Sequence, residues 1–139
     1  MSVRVEDRGE GKFDVLTKAL KLAVHTVNIT DNKKVFVPEH EKTTQEIVYF
    51  ATGIYHKARV ANEIKFLQDI ELLEERRKLQ TEAIKECTQL ISKIYIAKHV
   101  FHLRSTSVSF WIDMVEEVKK LLKGWMESDA KRFREKHLA

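Results

Sequence analysis

VSFWIDMVEEVKKLLKGWME, residues 108–127, decides the fold of this 139-residue chain. Val108, Trp111, Val115, Val118, Leu122 and Trp125 recur at alternating steps of three and four. That spacing keeps side chains on one side of an α-helix. Asp113, Glu116, Glu117, Lys119, Lys120 and Lys123 occupy the remaining surface, so the helix has an apolar seam and a charged back. A seam this regular needs at least two partner helices to cover it, and the rest of the chain must supply them.

Working outward, the same alternation runs from Lys12 through Phe13, Leu16, Leu20, Ala23 and Val27. It predicts a first helix to about Ile29, ended by the turn-favouring run TDNKK at residues 30–34. Pro38 with Glu39 and Glu41 suits the start of a second helix, and Thr43 with Glu46 makes a capping-box pattern, so the start lies at either place. Ile47, Phe50, Ala51, Ile54, Ala58 and Ala61 share one face of that helix to about Asn62 or Ile64, and its small residues permit close packing. Residues 66–69 read as a connection.

The third helix is predicted to be the longest, from Ile70 to Leu103. Its seam is Leu79, Ala83, Cys87, Leu90, Ile94, Ala97 and Phe101. Ile84, Ile91 and Val100 widen it into a second strip, which implies a central position or a subunit contact. Ser105, Thr106 and Ser107 offer N-caps for the fourth helix, which SDAKRFREKHLA extends by a turn or two. No segment holds the strand period of two over a useful length. The expected fold is all-α, an antiparallel up-down-up-down four-helix bundle over residues 12–133, between a flexible arm at 1–11 and a frayed basic tail at 134–139.

One proline and four glycines leave room for long helices. The lone Cys87 excludes an intrachain disulfide and fits a reducing compartment. The charged N-terminal segment does not read as a signal peptide, and no apolar run approaches the roughly 20 residues of a membrane span. The expected location is cytoplasmic. With 25 basic and 21 acidic residues the net charge is +4, by itself only a mild attraction for polyanions.

Four-helix bundles can hold di-iron sites built on Glu-x-x-His pairs, but none of the six histidines has a glutamate three residues before it. His99 and His102, three apart on the predicted third helix, are compatible with a metal but lack a third ligand. Cys87 lies on an apolar seam and reads as a small core residue rather than a nucleophile. No phosphate loop and no Ser-His-Asp arrangement is present. The reading is of a protein without catalytic residues, metal or cofactor.

Basic clusters remain. They are Arg76, Arg77 and Lys78; Lys98, His99, His102 and Arg104; Lys119, Lys120 and Lys123; and Lys131, Arg132, Arg134 and Lys136. Any one of them reads as a solvated helix face paired to nearby glutamates. Several together can form a surface that positions phosphates without reading bases. Trp111, Trp125 and Phe110 are candidate stacking platforms, although the seam positions of the tryptophans favour packing.

Three passages in order, KVFVPEHEKTTQEIVYFATGIYHKARVANEI, ERRKLQTEAIKECTQLISKIYIAKHVFHLRS and FWIDMVEEVKKLLKGWMESDAKRF, resemble the accessory variability determinant (Avd) proteins of diversity-generating retroelements. The likeness runs from about Gly9 to Phe133 and extends to the four-helix proteins of ribosomal-RNA intervening sequences. Its marks are an aromatic-x-Pro approach to the second helix, an Ala-Asn near that helix's end, and a Gly-Trp near the end of the fourth. The resemblance implies a homopentameric ring that binds RNA or DNA and a reverse transcriptase, and that assists mutagenic copying without an active site of its own. Five copies at +4 would carry +20. The basic residues within the matching passages, Arg76, Arg77, Lys98, Lys119, Lys120, Lys123 and Arg132, are the nucleic-acid-binding candidates it implies. Two other readings stand beside it: a protein-interaction bundle that binds no nucleic acid, and a small metal protein built on His99 and His102.

Overall fold

The computed structural model describes residues 10–138, with side chains from residue 14 onward. Four helices account for most of them: α1 (Glu10–Thr30), α2 (Glu41–Glu63), α3 (Ile70–Val100) and α4 (Ser105–Leu138). No strand occurs among the described residues. The arm expected at residues 1–11 lies outside the described residues except for its last two, which belong to α1.

Each helix packs on two others around one core. α1 and α3 both contact α2 and α4, and among the described residues the diagonal pairs do not meet. The α4 seam is fully used: Val108, Trp111, Val115, Val118, Leu122 and Trp125 are all buried. So are Ala83, Cys87, Leu90, Ile94, Ala97 and Phe101 on α3, and Ile47, Ala51, Ile54, Ala58 and Ala61 on α2. On the α2–α3 contact, Gly53 of α2 faces the Glu86 side chain of α3. A Cβ added at Gly53 would lie 2.9 Å from Glu86 Oε1. At Gly124 an added Cβ meets nothing, so no close approach explains that glycine.

The face of α1 differs from the expected one. Val15, Ala19, Leu22, Ala23, Thr26 and Thr30 point inward, whereas Leu20, Val24 and Val27 are 43–48% exposed. The apolar arc of α1 is wide, opposite a polar face of Asp14, Lys18, Lys21, His25 and Asn28, so two registers satisfy the spacing. A polar contact goes with the one adopted: Trp111 Nε1 donates to Thr26 Oγ1 at 3.0 Å, giving the buried indole N–H a partner. The second strip on α3, which implied a central position or a subunit contact, is half-buried, with Ile84, Ile91 and Val100 packed against the core. Exposed apolar side chains remain on all four helices, among them Leu20, Val24 and Val27 on α1 and Tyr95 and Ile96 on α3.

Helix ends also shift. α2 begins at Glu41 after a short 3-10 turn at Pro38–His40. Glu46 is therefore inside the helix, where its carboxylate accepts from Lys93 Nζ at 2.7 Å instead of closing a capping box. A second 3-10 turn (Phe66–Gln68) leads to Asp69, whose side chain caps α3 by accepting from Glu71 N at 2.8 Å. α3 stops at Val100, short of the expected Leu103, and α4 starts at Ser105, so the supposed cap residues lie in its first turn. At 34 residues against 31, α4 is the longest helix, and it continues through the residues expected to fray. Among the described residues no helix is long and apolar enough to cross a membrane.

Candidate nucleic-acid interface

The seven basic candidates do not lie together, and one of them is internal. Arg76 is 3% exposed, so its charge does not reach the surface. Its Nε donates to Asp129 Oδ2 at 2.7 Å and its Nη2 to Oδ1 at 2.9 Å, a two-pronged pairing of planar groups. Nη1 donates to the carbonyls of Ala61 (3.3 Å) and Ile64 (3.2 Å), satisfying oxygens at the C-terminal end of α2. Gln80 Nε2 gives Asp129 Oδ2 a further donor at 2.9 Å. The guanidinium lies 4.4 Å from the Phe66 ring centroid and 4.8 Å from that of Trp125, which close it off from solvent. Arg76 is a structural residue, and phosphate contact is removed from its expected roles.

Arg77, its neighbour, points outward. It lines a shallow groove of about 400 Å³ between α3 and α4 together with Thr81, Ile84, Lys123, Met126 and Glu127. Two candidates from separate helices thus meet at one place. Lys120 is exposed one turn before Lys123, and Lys119 is half-buried. The Lys119 charge acts on Cys87, though weakly beside the effect of burial, which pushes that thiol up to about 12. A thiol so buried and so reluctant to ionise is not a nucleophile at neutral pH.

Lys98 and Arg132 lie apart. Twenty-one residues of α3 separate Lys98 from Arg77, about 30 Å along the axis, so they cannot share a groove. Arg132 lies 5.3 Å from the Phe66 ring centroid, beside a cleft of about 560 Å³ that Lys65 and Lys136 also line. Neither lysine was among the candidates: Lys136 belongs to the tail cluster but lies beyond the third matching passage, which ends at Phe133, and Lys65 directly follows the first, which ends at Ile64. Only the folded α2–α3 turn brings Lys65 to the end of α4.

The histidines rearrange as well. Because α3 ends at Val100, His99 and His102 do not share a helix face, and His102 adopts a left-handed backbone with φ 55°. Among the described residues no three His, Cys, Asp or Glu side chains gather into a group that could hold a metal. Of the three aromatics considered for stacking, Trp111 and Trp125 are buried, while Phe110 is 60% exposed. No protein-family model, curated protein or solved structure matches the chain.

Proposed function

We propose that this chain is a non-enzymatic accessory protein of the kind that serves diversity-generating retroelements. In this reading it works in the cytoplasm, binds template RNA or its cDNA, and engages a reverse transcriptase that performs the chemistry. The observation that carries the nucleic-acid part is the meeting of Arg77 and Lys123 in one α3–α4 groove, with Lys120 exposed one turn away. The ordered likeness of three passages to Avd proteins supports the rest.

The reading includes an antiparallel up-down-up-down course. Three contacts favour it: Arg76 near the start of α3 pairs with Asp129 near the end of α4, Glu46 near the start of α2 with Lys93 near the end of α3, and Thr26 near the end of α1 with Trp111 near the start of α4. It also includes a homopentameric ring. Leu20, Val24 and Val27, at i, i+4 and i+7 on α1, are the surface we assign to subunit contact. Light scattering at micromolar concentration is expected to give about five times the 16.3 kDa chain mass; a stable monomer would contradict the ring.

Binding is expected to be salt-sensitive and largely indifferent to sequence. For Z phosphate contacts to a single strand, log affinity should fall against log salt with a slope near −0.7Z. A labelled RNA titrated at two salt concentrations tests this. Absence of binding at low salt would leave the alternative, a protein-interaction bundle, which the exposed α1 strip also favours.

A further inference from the structure

A second place on the molecule has the composition of a ligand site. A cleft of about 590 Å³ opens at one end of the bundle between the end of α1, the α3–α4 turn and the start of α4. Its volume lies within the range of small-molecule sites, roughly 300–1,000 Å³. His25, Asn28, Asn32, His102, Arg104 and Phe110 are among the residues that line it, and among the described residues no carboxylate does. Its charge and chemistry therefore suit an anion that carries a flat ring.

Two details set the cleft apart from an ordinary groove. Phe110 keeps 60% of its surface in solvent on an otherwise well-packed helix, and His25 braces it edge-on, with centroids 5.5 Å apart and planes at 69°. A rigidly braced, exposed ring is a stacking platform. His102 occupies the position after the end of α3 that glycine normally takes. Leu103 N donates to Lys98 O at 3.0 Å and Phe101 N to Ala97 O at 2.8 Å, closing the end of the helix around a left-handed residue. A side chain held where glycine would be relaxed points to a role for the side chain itself. Burial also lowers the pKa of His25, which keeps its ring neutral at pH 7.

We infer that this cleft binds an unpaired nucleotide, its base against Phe110 and its phosphate between Arg104 and His102. The inference rests on the nucleic-acid reading above and adds a preference that the α3–α4 groove, facing a phosphate backbone, would not give: single strands over duplexes.

The test uses a labelled single-stranded RNA and the matching duplex, measured by fluorescence anisotropy at low salt. Wild type is expected to favour the single strand. Phe110→Ala should weaken single-strand binding about tenfold and leave duplex binding unchanged, since loss of one stacked base costs on that order. Arg104→Glu, at an exposed position, should do the same and serves if Phe110→Ala folds poorly. His102→Gly should raise the unfolding midpoint by about 3 °C while weakening single-strand binding, which a purely structural residue would not do. Competition by a mononucleotide separates the sources: displacement at micromolar concentration assigns the cleft to free nucleotide, and displacement only at millimolar assigns it to a base within a strand. Unchanged single-strand affinity in Phe110→Ala and Arg104→Glu would overturn the inference while leaving the α3–α4 interface standing. Wild type that binds neither RNA would overturn both.

Discussion

Asp129→Ala should cost about 3–5 kcal/mol of folding stability, the largest effect expected of any single substitution outside the apolar core. Asp129 is fully buried and Arg76 nearly so. Removing the carboxylate strands a guanidinium whose Nε and Nη2 then have no acceptor, leaving only the Ala61 and Ile64 carbonyls on Nη1. Gln80 Nε2 loses its acceptor as well. With a urea dependence of about 2 kcal/mol per molar, a loss near 4 kcal/mol moves the denaturation midpoint down by roughly 2 M. The double variant Arg76→Met, Asp129→Leu should recover most of that loss, because a buried pair exchanged for packed apolar groups is often neutral or better. Circular dichroism during urea titration reads both. A midpoint for Asp129→Ala within 0.5 M of wild type, about 1 kcal/mol on the same slope, would mean that water reaches the Arg76 site and the pair is not closed off.

This network marks where the sequence could be read and where it could not. The α4 seam was legible because six apolar residues at fixed steps leave one register. Extending the same steps by four places reaches Asp129, and extending the α3 seam backward from Ala83 reaches Gln80 and Arg76. Polar residues on core positions of two seams were therefore a readable signal. What was not readable is that they face each other, because 53 residues separate Arg76 from Asp129 and charge alone suggests solvent. α1 failed for the opposite reason: with Val15, Leu16, Ala19, Leu20, Leu22, Ala23 and Val24 in close succession, spacing selects no face. The inward face became recognisable only with its polar partner, the Trp111 indole meeting Thr26.

The basic candidates were legible as types and illegible as a surface. Arg76 and Arg77 are adjacent in sequence, and a step of about 100° around the helix puts one in the core and the other in solvent. Helix spacing could have separated them, since Arg77 is off the seam that contains Arg76. The joining of Arg77 to Lys123 depends on how α3 lies on α4, which no local pattern states.

That geometry sets the second large effect. Reversing Arg77, Lys120 and Lys123 together to glutamate should lower affinity for single-stranded RNA about a hundredfold in 0.1 M salt. The magnitude follows from counterion release: at a slope of about −0.7 per contact, each phosphate contact is worth roughly fivefold at that salt concentration. The same triple variant should flatten the slope of log affinity against log salt by about 2. Glu127, in the same groove, would then face new negative charge instead of balancing positive charge, which adds to the loss. Stability should change little, because Arg77, Lys120 and Lys123 are exposed and form none of the ion pairs among the described residues. The two large effects are thus separable. Asp129→Ala should lower the urea midpoint and spare the salt slope of whatever remains folded, and the triple reversal should do the converse. A triple variant with wild-type affinity and wild-type slope would remove the α3–α4 groove from the interface and leave Arg132, with Lys65 and Lys136 beside it, as the place where three cations still converge.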